Sequence, residues 1–130
     1  MTIEEAVVSA LRGVEALGGR VYPVEAMRDA GAPFVFYWQI RDDEEIALDG
    51  PTGLMEAQFA VHVVAATYGE LVTLCRSCSA ALRGLMGEGY PPLLIGFADV
   101  AAASPDLKDQ EVNYYRRALN LTVNYQVTGV

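Results

Sequence analysis

The residue pattern changes period at Thr67, and that change limits the fold more than any other feature of the chain. Upstream, Gln58-Phe59-Ala60-Val61-His62-Val63-Val64-Ala65 alternates as a strand does. Downstream, Leu71, Leu74, Cys75, Cys78, Leu82 and Leu85 recur on one face of a helix. Thr67-x-x-Glu70 has the form of a capping box, in which each side chain satisfies an orphan backbone donor at the helix start. A strand is therefore expected to run straight into an amphipathic helix. That helix should extend to about Met86, with Gly87 and Gly89 as its stops.

The same reasoning extends to both ends. Thr2 and Glu5 form a second capping box. Ile3, Ala6, Val7, Ala10, Leu11, Val14 and Leu17 predict a first helix that Gly18-Gly19 ends. Arg20-Val21-Tyr22 reads as a short strand stopped by Pro23, and residues Val24 to Ala32 as loop or a short helix. After Pro33, the run Phe34-Val35-Phe36-Tyr37-Trp38-Gln39-Ile40-Arg41 predicts a well-buried strand with Phe34, Phe36, Trp38 and Ile40 on one side. The aromatic group is assigned to the core, with the Tyr37 hydroxyl at the surface or an interface. Asp42-Asp43-Glu44-Glu45 and Leu48-Asp49-Gly50-Pro51-Thr52-Gly53 then predict a long hairpin connection, with the return strand running from Leu54 to Ala65.

Tyr90-Pro91-Pro92 marks a turn before a strand from Leu93 to Ala103, with Gly96 as a bulge. Ser104-Pro105-Asp106 breaks that strand. The final strand alternates cleanly: Leu119, Leu121, Val123, Tyr125 and Val127 against Asn120, Thr122, Asn124 and Gln126. One face enters a core and the other is polar but uncharged. Two amphipathic helices must bury their stripes against something, and one face of a mainly antiparallel sheet suffices. The expected fold is α+β, two-layered, with both helices on one face. A length of 130 residues without linker or repeat predicts one domain, 1–130.

Composition narrows the function. The chain is 52% hydrophobic with a net charge of −8. That charge repels phosphate at long range and argues against general nucleic-acid binding, though not against DNA passing by. The start, Met1-Thr2-Ile3-Glu4-Glu5, carries acid where a secretory signal needs base. The apolar runs fall short of the ~18 residues that suggest a membrane span. A soluble protein in a reducing compartment, without membrane association, is expected.

Catalytic and metal chemistry find little support. Cys75-x-x-Cys78 lies more than two turns past the Thr67 cap and on the apolar stripe, whereas a redox pair belongs at the helix N-terminus. A zinc site needs further ligands, which the single His62 does not supply. His62 points away from Phe59, Val61 and Val63 and lacks a nucleophile and orienting acid. The acidic run Asp42 to Glu45 lacks the alternating oxygens of a Ca²⁺ loop. It reads as a solvated loop, or else as an interaction or DNA-repelling surface. The glycine segments have no phosphate-loop order. Arg116-Arg117 is too small for a nucleic-acid patch and suits an ion pair at the sheet rim. No catalytic residue, metal ligand or cofactor is assigned.

Taken together, the short motifs resemble those of the tail-completion (tail-terminator, head–tail joining) proteins of long-tailed phages, prophages and gene transfer agents. The matching pieces are Arg20 to Pro23, Pro33 to Ile40, Leu48-Asp49-Gly50, Ala65-Ala66-Thr67-Tyr68, and Tyr115-Arg116-Arg117 running on to Tyr125. They span nearly the whole chain in order. The sequence departs from the family pattern at His62, at Val64 and at Asn120-Leu121. The resemblance implies a non-enzymatic subunit of a homo-oligomeric ring, usually six-fold, at the head–tail junction of the virion, made in the host cytoplasm. It implies a tail tube protein and a head-side connector or stopper protein as partners, with DNA passing through the lumen without sequence-specific binding. The alternatives are another neck component (stopper or head-completion protein) and, in a different class, a small cytoplasmic ligand-binding domain or enzyme. A head-to-tail ring needs two different patches on each subunit. The candidate interaction surface is the polar strand face (Asn120, Thr122, Asn124, with Gln126) and the long loops at Asp42–Gly53 and Ser104–Glu111. Its acidic residues are Asp42, Asp43, Glu44, Glu45 and Asp49.

Overall fold

The computed structural model describes residues 2–23, 31–47, 50–90, 93–103, 105–109 and 113–127. In chain order these form α1 (Ile3–Arg12), a short 3-10 turn (Glu15–Leu17), β1 (Val21–Pro23), β2 (Phe34–Ala47), β3 (Gly50–Ala65), α2 (Tyr68–Arg83), β4 (Gly89–Tyr90), β5 (Leu93–Ala102), β6 (Leu107–Asp109) and β7 (Tyr114–Val127). The strands make one mixed sheet in the order β1-β2-β3-β7-β5-β4, with β6 pairing β7 off this path. Only β1 and β2 run parallel. The α+β expectation holds, with both helices against the sheet.

Both helix starts follow their capping residues. The Glu5 amide donates to Thr2 Oγ1 at 3.1 Å, and the Thr2 hydroxyl donates back to Glu5 Oε1 at 3.3 Å. The Glu70 amide donates to Thr67 Oγ1 at 3.2 Å. The helix ends differ from expectation. α1 stops at Arg12 rather than at Gly18, because Gly13 caps it through amide bonds to the Ser9 and Ala10 carbonyls and Val14 turns extended. The apolar stripe continues past this break: the 3-10 turn brings Leu17 into the core, and Gly18 closes it at φ 57°. α2 stops at Arg83, capped by Gly84, and Leu85 still packs inside from the following turn.

Alternation along β7 organises the core. Leu119, Leu121, Val123 and Tyr125 are buried on the helix side. They pair with Val61, Phe59, Ala57 and Met55 of β3, and with Ala102, Val100, Ala98 and Ile95 of β5. α1 contributes Ile3, Ala6, Val7 and Leu11, and α2 contributes Leu71, Leu74, Cys75, Cys78 and Leu82. The register shift between Ile95 and Phe97 places the expected bulge at Gly96.

Two strand readings are corrected. The acidic run is not a loop. β2 continues through Asp42, Asp43, Glu44 and Glu45 to Ala47, and β3 begins at Gly50 rather than at Leu54. Cross-strand pairing accommodates the charges, since Asp43 lies opposite Glu56 and the intervening Arg41 binds both acids. The helix-facing side of β2 is Val35 and Tyr37, not the Phe34 set. Trp38 is 36% exposed on the far face, and Ile40, 50% exposed, is the extra residue of a bulge between Gln39 and Arg41. The segment 24–30, Pro91-Pro92, Ser104 with 110–111 of the Ser104–Glu111 loop, and Val112 lie outside the described residues. Of that loop, residues 107–109 form β6.

Because Leu121 is fully buried on the central strand, Leu121→Ala is expected to lower unfolding free energy by about 2–5 kcal/mol. Thr67→Ala should cost about 1 kcal/mol through loss of the cap. Urea unfolding followed by circular dichroism measures both.

Candidate functional site

The helices cover one face of the sheet, and the described residues leave the opposite face bare. Three zones divide that face. In the first, Phe36 and Trp38 of β2 flank His62 of β3, with ring centroids 4.8 and 4.7 Å from the imidazole and planes tilted by 18° and 26°. Antiparallel pairing creates this trio, since Phe36 sits directly opposite His62. Phe34 extends it, in contact with Tyr22 and Tyr114. Nδ1 of His62 is buried and has no hydrogen-bond partner. Burial lowers the pKa of His62, and the Arg116 charge lowers it further. The imidazole is a neutral stacking ring at neutral pH.

The second zone is the polar stripe of β7. Asn120, Thr122 and Asn124 project from the bare face, as the alternation predicts. Ala60, Gln58 and Glu56 of β3 lie beside them.

The third zone is the acidic hairpin and the groove at its base. Arg41 binds Glu56 at 2.6 Å and Asp43 at 3.7 Å. Asp42 points to the other side and accepts a 2.7 Å hydrogen bond from the Tyr125 hydroxyl. Burial and that carboxylate push the tyrosine pKa well up. A groove of about 520 Å³ lies among Arg41, Asp43, Glu44 and Glu56 on the hairpin, Leu94 and Gly96 on β5, and Asn124 and Gln126 on β7. The structure thus brings Asp43, Glu44 and Asn124 together at one groove and leaves Asn120 and Thr122 along the stripe. The Glu45 side chain and Asp49 lie outside the described residues.

The remaining chemical groups are structural. Cys75 and Cys78 are free and buried. Burial pushes the Cys75 thiol up to about 11. Burial, with the neighbouring Cys75, pushes Cys78 to about 12. Among the described residues, no three His, Cys, Asp or Glu side chains group as metal ligands would. No helix there is long and apolar enough to cross a membrane.

At the start of α2, Arg117 holds Asp106 through two bonds of 2.7 and 2.8 Å, and the Tyr68 hydroxyl donates to the same carboxylate at 2.9 Å. These hydrogen bonds hold the Asp106 carboxyl below its ordinary value of 3.8. The cluster ties the β6 segment to α2 and β7. Sequence spacing does not reveal this triad or the Tyr125–Asp42 bond, because each joins residues far apart in the chain.

Two outcomes follow from these environments. With thiol pKa values near 11 and 12, both cysteines should stay unlabelled by Ellman's reagent at pH 8 until denaturant is added. A carboxyl whose folded pKa is depressed stabilises the fold above its unfolded value and loses that effect as pH falls through the folded value. Asp106→Asn should therefore cost about 1–3 kcal/mol at pH 7. The gap to wild type should close below about pH 4, measured by urea unfolding across pH.

Comparison with known proteins places this architecture. Among solved structures, the fold is similar to a chain from the virion of a native gene transfer agent particle. The match has a TM-score of 0.68 and 16% identity, covering 95% of this chain and 94% of that one. No curated protein matches the sequence. The family model described as Tail completion protein gp17 matches residues 5–124. The chain belongs to this family of tail completion proteins.

Proposed function

We propose that this chain, as a single domain over residues 1–130, is a structural and non-enzymatic virion component. It forms a ring, six-fold by the family resemblance, at the head–tail junction. The ring ends the tail tube and joins it to the connector or stopper on the capsid side, and DNA passes through the lumen. The protein accumulates in the host cytoplasm during assembly and ends in the virion.

The observation that carries this reading is family membership over residues 5–124. The groove that gathers Arg41, Asp43, Glu44 and Glu56 is lined by no His, Cys or Ser, and its Arg41 is engaged by Asp43 and Glu56, which suits a contact surface better than an active site. The contact surface proposed is the stripe Asn120, Thr122 and Asn124 with the acidic hairpin Asp42, Asp43, Glu44, Glu45 and Asp49. The uncharged stripe suits protein contact, and the acid suits a surface that DNA must pass without sticking.

Light scattering after size exclusion, then negative-stain imaging with purified tail tubes, tests the reading. Rings with a central hole, alone or at tube ends, are expected. A chain that stays monomeric and ignores tube ends fails the test. Capture on the connector without capture on tubes would assign it instead to another neck position. Asp43→Lys with Glu44→Lys should lower the yield of DNA-delivering particles by at least about tenfold while the fold stays intact. An unchanged yield would remove the hairpin from the contact surface.

A further inference from the structure

We propose that copies of this chain join by adding β2 of one to β5 of the next, so that the sheet continues through the ring. This rests on the ring reading above and names the contact that builds it.

The first argument is where backbone pairing stops. β1 covers β2 only at Val35–Tyr37. Among the described residues, no strand pairs the outer side of β2 from Trp38 onward. At the opposite edge, β4 covers β5 at Leu93-Leu94, and Gly87 and Glu88 satisfy Ile95. From Gly96 to Ala102 no described strand lies outside β5. The two open stretches are level across the sheet. Trp38 is in line with Ala60, Asn120 and Ala101, and Asp43 with Glu56, Asn124 and Phe97. Long open edges are templates for strand addition.

The second argument is the distribution of apolar surface. Across these rows the inner strands β3 and β7 show polar or small residues on the bare face. The edge strands show Trp38 on that face of β2, Ile40 exposed at the bulge between Gln39 and Arg41, and Phe97, 46% exposed, on β5. A solitary sheet is expected to place polar groups at its edges. Joining β2 to β5 puts a neighbouring strand against each of these exposed side chains.

Charge and direction agree. β2 carries Asp42, Asp43 and Glu44 along its open stretch, so two such edges repel and a like-with-like pair is disfavoured. The β5 edge has Arg83, which donates to the Val100 carbonyl at 2.9 Å and lies 3.8 Å from Asp99. An incoming β2 that bonds this carbonyl would release Arg83 to face the acids that strand carries. β2, β3, β7 and β5 alternate in direction. Rotation about an axis along the strands therefore brings β2 of the next copy antiparallel to β5, without a break in the alternation.

Hydrogen–deuterium exchange on the wild-type protein, as monomer and as rings on tail tubes, tests this without a variant. Amides in 38–44 and in 98–102 should both slow by at least about tenfold in the ring. Protection of one edge alone, or of neither, overturns the proposal. Ala102→Pro removes an outward amide while sparing the bonds to β7. It should abolish ring formation, as should Ile40→Asp and Phe97→Asp. Val127→Asp alters exposed apolar surface at the end of the inner strand β7, off both open stretches, and should leave rings intact. Circular dichroism and thermal unfolding establish that each variant is folded. Rings that form despite all three edge substitutions refute edge joining and leave the ring reading standing. A wild-type chain that never forms rings, even on tubes, removes the ring reading and this contact with it.

Discussion

Strand β7 is the member on which the other elements depend. It pairs with β3 on one side and with β5 and β6 on the other, and its inward residues Leu119, Leu121, Val123 and Tyr125 meet both helices' apolar stripes in one core. Each such side chain contributes about 1.5–3 kcal/mol on burial. A one-residue slip of β7 would exchange this row for Asn120, Thr122 and Asn124 and bury unpaired amides. The same alternation that fixes the register therefore fixes what the bare face can be: a polar, uncharged strip with no titratable group at its centre.

Much of this was legible in the residue pattern. The joint at Thr67, the Thr2 and Thr67 caps, the β7 alternation and the Gly96 bulge depend on local spacing, which sequence carries directly. The burial of Cys75 and Cys78 followed from counting turns beyond the cap. What failed had a nonlocal cause. Phe34 to Ile40 is apolar at both parities, so the chain alone does not say which side meets the helices. That choice is made by pairing with β3, whose Phe59, Val61 and Val63 set the inner face and place His62 beside Phe36. The acidic run looked like a loop because acids disfavour strands. Its strand depends on Arg41 bridging to Glu56 and on Tyr125 donating to Asp42, partners 15 and 83 residues distant.

The candidate surface was less legible than the fold, for the same reason. Asn120, Thr122 and Asn124 were visible as one face of a strand. The groove joining Asn124 to Asp43 and Glu44 is produced by register, and so is the stack around His62. A carboxylate between Phe36 and Trp38 would be charged and poorly solvated, whereas a neutral imidazole stacks there. His62 thus gives this corner of the bare face an aromatic rather than an acidic character.

An uncovered sheet face is usually a cost that a small protein avoids by adding a layer. Here the cost is kept low in the middle by amides and a hydroxyl, yet not at the margins, where Trp38, Ile40 and Phe97 remain in water. Core stability does not require those side chains, since the helix side holds the buried cluster without them. Their placement on two edge strands of opposite direction makes structural sense when each edge is completed by a different edge of another copy. Such a contact uses backbone hydrogen bonds for strength and side chains for register. It also uses two unlike surfaces, the geometric condition for growth around an axis rather than closure into a pair.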